Sequence, residues 1–233
     1  MSGRCILITG ATRGIGRCLA EHYLALGDTV VGCGRGAAAI EHEAYMHASL
    51  DVCDEAAVSD LFSTIRTRFG RLDVLINNAG VASMNVVALT PSATARRVLD
   101  TNVLGTFLFT HAGIRLLRRS PHPRIVNLTS VAVPLSLEGE AVYAASKSAV
   151  ETFTRIVARE LGSWGITCNA IGPSPIRTDL TRGVPEEAMA RLLARQAVPR
   201  WAEASDVANV IDFFLHPASA LVTGQVMYLG GVS

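Results

Sequence analysis

The sequence predicts an α/β protein built on a single Rossmann-type, doubly wound parallel sheet with helices on both faces. Three observations predict it: short apolar runs alternate with amphipathic stretches, a glycine-rich turn follows the first apolar run, and no linker, repeat or low-complexity segment interrupts the pattern. Such alternation places helices over both faces of a parallel sheet. A chain of 233 residues, 49% of them hydrophobic, is expected to form one domain over residues 1–233.

The elements follow from local patterns. Apolar runs predict buried strands at residues 5–8, 29–32, 74–76, 125–126 and 166–171. Helices are predicted from the glycine turn to residue 26, and at residues 54–69, 96–118 and 138–161. Residues 173–200 break the alternation and carry an apolar stripe of Met189, Leu192 and Leu193. This stripe fits either a lid over a substrate or ordinary packing on the domain surface.

The first predicted strand leads into a glycine-rich turn that reads Thr9-Gly10-Ala11-Thr12-Arg13-Gly14-Ile15-Gly16. Glycines let the backbone approach a pyrophosphate, and the following helix N-terminus offers unpaired N–H groups and a partial positive charge. The spacing is G-x-x-x-G-x-G and not the common G-x-G-x-x-G. The assignment therefore depends on the strand before the turn and the helix after it. Together they predict a dinucleotide-binding site.

The residue that follows the second strand indicates which dinucleotide is bound. This strand ends in Cys33-Gly34-Arg35, with no Asp or Glu to accept from a ribose 2′-hydroxyl. Arg35, together with Arg13 in the glycine turn, could instead pair with a 2′-phosphate. The sequence predicts a preference for NADP(H) over NAD(H). The alternative is that both arginines are solvated surface residues.

Tyr143 and Lys147 form the most informative pair in the sequence. Lys147 is the only lysine, and it follows Tyr143 by one helical turn. A phenol with a pKa near 10 needs about 4 kcal/mol in favour of phenolate to exchange protons at neutral pH. One positive charge about 5 Å away supplies about 3 kcal/mol at an effective dielectric of ~20. We therefore expect Lys147 to lower the pKa of Tyr143, the alternative being a solvated pair on a helix face.

Ser130 is expected at the carboxyl end of the strand predicted at residues 125–126. Ligands of open parallel sheets bind beyond the strand carboxyl ends, so a serine there can donate a hydrogen bond to a substrate carbonyl. Taken alone, Ser130 also fits a helix or turn cap. Its distance from Tyr143 along the chain favours the first interpretation.

Over essentially its whole length, the chain resembles the short-chain dehydrogenase/reductase family. The motifs that carry this resemblance are Thr9 to Gly16, Asp51-Val52, Asn77-Asn78-Ala79-Gly80, Asn102, Ser130, Tyr143 with Lys147, and residues 173–178. The resemblance implies that Tyr143 is the general acid or base and that Ser130 orients the substrate. It also implies that Lys147 binds the nicotinamide ribose and lowers the tyrosine pKa, and that Asn102 holds a water of a proton relay.

The same resemblance implies a cofactor site that spans several loops. It places Asp51 against the adenine amine, the backbone of residues 78–80 along the cofactor, and the segment through Ile176 and Thr178 against the carboxamide. The cofactor-binding residues expected in full are Gly10, Thr12, Arg13, Gly14, Ile15, Gly16, Arg35, Asp51, Val52, Asn78, Ala79, Gly80, Tyr143, Lys147, Pro173, Ile176 and Thr178.

Residues in these loops also have interpretations that need no cofactor. Asp51 could cap the helix that begins near Asp54, and Asn102 could satisfy local backbone groups. Residues 77–80 could be a plain exit from the strand before them.

Within the family, the chain is most similar to β-ketoacyl-carrier-protein reductases, through Pro185-Glu186-Glu187, Val198-Pro199-Arg200 and residues 222–226. This similarity implies that NADPH reduces a ketone, and a β-ketoacyl thioester is the substrate class expected first. It also makes an acyl carrier protein a candidate partner. The apolar residues expected to flank the substrate are Val81, Ala82, Met84, Val131, Val133, Pro134 and Leu135. The alternatives are a secondary alcohol dehydrogenase acting on a polyketide or sugar-derived alcohol, and a non-catalytic NADP-binding module.

The chain also departs from these reductases. The usual Pro-Gly after the sixth strand is Pro173-Ser174, and the segment from residue 36 to 45 is shorter than the usual helix. Trp164 stands where carrier-protein reductases often have a basic residue that meets acidic carrier protein, although Arg124 matches a second such position. The closing Asp-Gly-Gly is Leu229-Gly230-Gly231.

Bulk properties exclude several classes of function. A net charge of +1 with intermingled signs argues against a nucleic-acid partner. No apolar run reaches membrane-spanning length. We therefore expect a cytoplasmic protein without a membrane partner. Five cysteines without a C-x-x-C pair predict free thiols, and six histidines without ligand spacing predict no metal site. The family resemblance implies a homotetramer or dimer with the Tyr143 helix and the final strand at interfaces.

Overall fold

The computed structural model describes residues 3–232, and its core is one parallel sheet of seven strands. The strands are β1 (Cys5–Thr9), β2 (Thr29–Gly34), β3 (Tyr45–Ser49), β4 (Val74–Asn77), β5 (Arg124–Leu128), β6 (Thr167–Gly172) and β7 (Val226–Tyr228). Their order across the sheet is β3-β2-β1-β4-β5-β6-β7. The order reverses between β1 and β4, so the crevice beyond the carboxyl ends of these two strands is the expected ligand site.

Helices cover both faces of the sheet. They are α1 (Gly14–Ala25), α2 (Glu55–Phe69), α3 (Ser92–Leu99), α4 (Gly105–Leu117), α5 (Ala132–Leu135), α6 (Ala141–Leu161), α7 (Glu186–Ala194) and α8 (Ala204–Leu215). Helices α2, α4 and α6 pack on one face through an apolar cluster, and α1 and α8 pack on the other. The predicted doubly wound α/β fold is therefore confirmed.

The central strands form because apolar residues fill both of their faces. Leu7 and Leu75 point into the cluster under α2 and α4, whereas Ile6, Ile8 and Ile76 point into the cluster under α1 and α8, and all five side chains are fully buried. Burial on both faces explains why these strands read as uninterrupted apolar runs.

The structure differs from the sequence prediction at several places, among them helix α8, which was not predicted. Strand β3 was not predicted, and residues 35–44 before it contain no helix. The helix predicted at 96–118 is present without a break from Ser92 to Leu117, but it contains a π turn at Asp100–Leu104 between α3 and α4. The helix is therefore confirmed, and only the π turn within it was not predicted.

Other expectations concern the cysteines and the membrane. Cys5, Cys18, Cys33, Cys53 and Cys168 are all free, as predicted. Within residues 3–232, no helix combines the length and the apolar character needed to cross a membrane.

Candidate active site

The loops after β1 and β4 are bound to each other at the carboxyl edge of the sheet. The Asn78 side chain donates hydrogen bonds to the carbonyl oxygens of Thr9 (2.8 Å) and Gly10 (3.2 Å). The Thr9 hydroxyl accepts from the backbone N–H groups of Asn78 (3.0 Å) and Ala79 (2.9 Å). Asn78 is therefore part of the structure that shapes the glycine turn.

The glycine turn has the geometry that close approach of a ligand requires. Gly10 and Gly14 have φ of +70° and +55°, a region that favours glycine. A Cβ on Gly16 would collide with the Gly10 carbonyl oxygen and the Asn78 amide, so only glycine lets α1 start so near the sheet. Helix α1 has no side-chain cap at its first turn, which leaves its N–H groups for an anion.

Tyr143 lies on the first turn of α6 and is buried, with only 8% of its surface exposed. Burial raises the pKa of its phenol to about 12, the Glu140 carboxylate adds to this rise, and a hydrogen bond with the Ser130 side chain opposes it. The phenol and the Ser130 hydroxyl are therefore together, as the sequence predicts. Ser130 Oγ also accepts from the Ala132 N–H at 3.1 Å, so the serine is a turn cap as well.

Lys147 lies one turn further along α6 and is 5% exposed. Its Nζ donates to the Leu128 carbonyl oxygen at 2.8 Å and is 6.0 Å from the centre of the Tyr143 ring. Burial lowers the pKa of Lys147 to about 8. The phenol of Tyr143 is therefore less acidic in this structure than the expected influence of Lys147 predicts, because loss of solvent dominates its pKa.

Asn102 lies in the π turn and is fully buried. Its amide binds the backbone of Val81 on both sides: Oδ1 accepts from the Val81 N–H at 2.9 Å, and Nδ2 donates to the Val81 carbonyl at 3.0 Å. Nδ2 also donates to Ser146 Oγ at 2.9 Å. A Cβ on Gly80 would be 3.3 Å from both Asn102 Oδ1 and Lys147 Nζ, so these polar groups converge on the loop after β4.

Asp51 and Val52 follow β3 but have different surroundings. Asp51 is exposed, and its Oδ1 accepts from the Cys53 N–H at 3.0 Å. The cap of α2 is Asp54, whose Oδ1 accepts from the Ala57 N–H at 3.1 Å, so the capping role considered for Asp51 is wrong. Val52 is buried and packs against Gly105 at the start of α4.

The two arginines expected near a 2′-phosphate are both exposed. Arg35 follows β2, and its carbonyl accepts from the Ser49 hydroxyl at 3.4 Å. Arg13 forms an ion pair with Asp179 at 3.1 Å, and Asp179 also pairs with Arg182 at 2.6 Å. Arg13 is thus held by a carboxylate of the segment that follows β6.

This segment crosses from β6 to the glycine turn. Pro173 accepts from the Val131 N–H at 3.4 Å, and Ile176 pairs with Ala202 in an isolated parallel bridge. The Thr178 methyl would be 3.6 Å from a Cβ on Gly14, so residues 173–178 close one side of the crevice.

The serine that replaces the usual glycine after Pro173 has a partner. Ser174 Oγ donates to Gln196 Oε1 at 2.8 Å, and both residues are buried. Beyond α7, Arg195 donates to the Leu135 carbonyl at 2.8 Å. Leu192 of the apolar stripe packs against the cluster of Val131, Leu135 and Val232, so the segment lies against the loop that contains Ser130.

Several polar contacts of the site were not predicted. Ser146 binds Asn102, and Glu151, 3% exposed, accepts from the hydroxyls of Thr129 (2.7 Å) and Tyr228 (2.6 Å). The available signal for Glu151 was its position one helical turn after Lys147, on a face otherwise expected to be apolar. The contact of Asp179 with Arg13 could not be predicted from the sequence, because the two residues are 166 positions apart in the chain.

Comparisons with known proteins agree with this geometry. A family model described as enoyl-(acyl carrier protein) reductase matches residues 10–232. The 3-oxoacyl-acyl-carrier-protein reductase FabG of Escherichia coli is 34% identical over 237 residues, which cover 98% of this chain and 96% of that protein. FabG of Vibrio harveyi is 31% identical over 99% of this chain and 97% of its own.

Solved structures with the same fold include two oxidoreductases. Aldohexose dehydrogenase of Thermoplasma acidophilum superposes with a TM-score of 0.90 at 27% identity, covering 98% of this chain and 93% of that chain. A variant of actinorhodin polyketide ketoreductase with NADPH superposes with a TM-score of 0.88 at 29% identity, covering 98% and 96%.

Proposed function

Because the chain belongs to the short-chain dehydrogenase/reductase family and is an oxidoreductase, we propose that it reduces a ketone to a secondary alcohol with NADPH, with Tyr143 as the proton donor. The observation that carries this proposal is the buried phenol of Tyr143 beside the Ser130 hydroxyl at the carboxyl edge of the sheet. The ketoreductase neighbour and the FabG relatives support the same class of reaction.

The residues present fit a dinucleotide. The Gly16 position leaves no room for a Cβ, and the open first turn of α1 offers N–H groups to a pyrophosphate. Lys147 Nζ lies beside the loop of Gly80, where it can donate to ribose hydroxyls. When bound, the nicotinamide supplies the hydride that reaches the carbonyl carbon.

Tyr143 is suited to give a proton in this structure. With a pKa raised to about 12, the phenol is protonated at neutral pH and can donate to the oxygen of a ketone as the carbonyl carbon is reduced. Ser130, next to it, orients that oxygen by a second hydrogen bond. Donation leaves Tyr143 as a phenolate, and the reverse oxidation starts from that same phenolate, which takes the proton of the alcohol.

The preference for NADPH rests on charge at the end of β2. Arg35 stands where NAD-binding chains have a carboxylate, and its side chain is exposed beside the glycine turn. Arg13 in the glycine turn adds a second guanidinium, which is paired with Asp179. The NADPH in the ketoreductase neighbour supports this choice.

A β-ketoacyl thioester is the substrate class that we favour. The loop after Ser130 contains Val131 and Leu135, which form a buried apolar cluster with Val232 and with Leu192 beside the serine. The names of the FabG relatives support this class. The aldohexose dehydrogenase neighbour keeps a sugar-derived alcohol as the second candidate.

Delivery by a carrier protein has less support from the surface. Trp164 is stacked under the Arg118 guanidinium at 4.4 Å, and Arg124 is only 2% exposed. Arg124 therefore offers no exposed cation to an acidic carrier, whereas the exposed Arg118 places one over Trp164. A thioester of coenzyme A is the simpler substrate to test beside the carrier-bound one.

We also propose that the chain forms a homodimer or homotetramer through α4 and α6. Phe107 of α4 and Ile156 of α6 are 46% and 51% exposed, and Leu104, the last residue of the π turn before α4, is 41% exposed. Phe107 packs edge to face with Phe153, which joins the two helices into one apolar surface. Burial of such a surface in a second copy would remove it from water.

The function is tested by following oxidation of NADPH and NADH with three ketone classes: β-ketoacyl thioesters of coenzyme A and of acyl carrier protein, cyclic polyketide-like ketones, and sugar lactones or ketoses. We expect turnover of a β-ketoacyl thioester and a clear preference for NADPH. No turnover of any β-ketoacyl thioester would remove the favoured substrate class. Tighter binding of NADH in a fluorescence titration would contradict the cofactor assignment.

A further inference from the structure

The short connection between β2 and β3 is fixed by side chains of β3. Residues 35–44 contain no helix, so the turn that carries Arg35 has no helix to hold it. Its first two carbonyl groups nevertheless have partners: Ser49 Oγ donates to the Arg35 oxygen at 3.4 Å, and His47 Nε2 lies 2.9 Å from the Gly36 oxygen. Side chains of β3 therefore fix the backbone of the turn that contains Arg35.

The hydrogen bonds define the tautomer of His47. A carbonyl oxygen only accepts, so Nε2 of the neutral imidazole carries the hydrogen that points to Gly36. Nδ1 is then an acceptor, and the Tyr45 hydroxyl donates to it at 3.2 Å. The two rings are stacked, with centres 6.2 Å apart and planes inclined by 28°. Tyr45 thus fixes both the orientation and the tautomer of His47.

The sheet leaves space for this arrangement. Gly32 of β2 pairs with His47 of β3, and a Cβ at Gly32 would collide with the Tyr45 hydroxyl. On the other side of the turn, the methyl group of Thr12 would be 3.2 Å from a Cβ on Gly34 and 3.7 Å from one on Gly36. The Arg35 turn is therefore confined between the glycine turn and His47.

We propose that His47, oriented by Tyr45, is a positioning residue for selection of NADPH over NADH. It fixes the turn of Arg35 so that the guanidinium is presented to the 2′-phosphate without a loss of backbone freedom on binding. This inference rests on the proposed NADPH-dependent function. Only the ligand's 2′-phosphate depends on Arg35, so loss of His47 should affect phosphorylated and unphosphorylated ligands differently.

The test is a set of binding titrations with His47→Ala, using NADPH, NADH, adenosine 2′,5′-bisphosphate and 5′-AMP. We expect the Kd of NADPH and of the bisphosphate to rise about tenfold, as for loss of one well-placed interaction with a charged group. The Kd of NADH and of 5′-AMP should change by less than about twofold. His47→Gln, which keeps a donor for Gly36, should recover part of the loss. Equal losses for both kinds of ligand, or no loss, would overturn the proposal.

Two further variants keep the test decisive. Tyr45→Phe retains the ring over Gly32 but removes the donor to His47, and it should weaken NADPH binding in the same direction by a smaller factor. His42→Ala is the matched control, because His42 lies in the same connection and its side chain accepts a hydrogen bond from the Ala44 N–H and from no group of the Arg35 turn. It should leave every Kd unchanged. If His47→Ala does not fold, the Kd values of Tyr45→Phe and His47→Gln test the proposal in its place.

The same titrations separate this inference from the function on which it rests. A wild-type protein that prefers NADH would remove the proposed cofactor, and with it the role of His47. A wild-type protein that prefers NADPH, with a preference unchanged in the His47 and Tyr45 variants, would remove only the positioning role.

Discussion

The ammonium group of Lys147 donates a hydrogen bond of 2.8 Å to the carbonyl oxygen of Leu128, the last residue of β5. This bond joins helix α6, which contains Tyr143, to the strand that leads to Ser130. The lysine therefore holds together the two elements that supply the phenol and the serine hydroxyl. Because burial lowers the pKa of Lys147 to about 8, the amine is neutral at the pH where the buried phenol, with a pKa of about 12, would ionise.

Replacement of Tyr143 by phenylalanine removes the proton donor but keeps the ring. We expect turnover of a ketone to fall by at least about a hundredfold, the loss typical of general acid–base catalysis. The Kd of NADPH should change little. Steady-state kinetics and a fluorescence titration of the same preparation measure both, and near-normal turnover would contradict the role of the phenol.

The buried amine of Lys147 makes stability depend on pH. Its pKa is about 8 in the folded protein and 10.5 without burial, so the folded state binds this proton less tightly than the unfolded chain. Stability that is present above pH 10.5 is then lost as the pH falls through 8. A difference of this size corresponds to about 3 kcal/mol.

The variant Lys147→Met has no such proton. We therefore expect the free energy of unfolding of the wild type, relative to this variant, to increase by about 2–3 kcal/mol between pH 7 and pH 10. Urea denaturation at the two pH values measures it. A difference between the proteins that does not change with pH would show that the amine is not desolvated as described.

Asp179 competes for the arginine of the glycine turn. In Asp179→Asn, Arg13 loses its ion-pair partner and becomes available to a phosphate. Both side chains are exposed, so the pair is weak, and we expect the Kd of NADPH to fall by about two- to fivefold, with the gain lost at high salt. Glu187→Gln is the control, since it removes one charge from the same segment without touching Arg13. Unchanged or weaker NADPH binding in Asp179→Asn would contradict this account.

Phe107 is expected to lie in an interface between copies of the chain. Phe107→Arg places a charge in the apolar surface of α4 and α6, and sedimentation velocity should then show smaller species than the wild type. Phe213→Arg is the matched control, because Phe213 on α8 is 47% exposed against 46% for Phe107. The idea fails if the wild type is a monomer or if both variants behave alike.

The sequence predicts the central sheet well and its edge poorly. Strands such as β4 are apolar on both faces because helices cover both, and this leaves a plain signal in the chain. Strand β3 is an edge strand whose first four residues are only half buried, and Tyr45 and His47 give it a mixed pattern. Its presence depends on pairing with β2, which a local pattern does not contain.

The candidate site likewise has features that the sequence predicts and features that it does not. Helical spacing correctly places Tyr143 and Lys147 on one face of α6, because this depends only on residues one turn apart. The direction of the pKa shift of Tyr143 was not predictable, since it depends on how much solvent the folded chain removes. The partners of Arg13 and Asn102 were also beyond the sequence, because they lie 166 and 21 residues away.

The π turn between α3 and α4 makes the orientation of α4 depend on the exact number of residues in this segment. A π turn contains one residue more than an α turn, so it rotates all that follows by about 100° relative to an unbroken helix. Deleting one residue from Asp100–Leu104 would turn Phe107 away from Phe153 and pull Asn102 off the backbone of Val81. A single-codon deletion here should therefore disable the proposed subunit association and the nucleotide crevice together, whereas substitutions of exposed neighbours would each affect one of them at most.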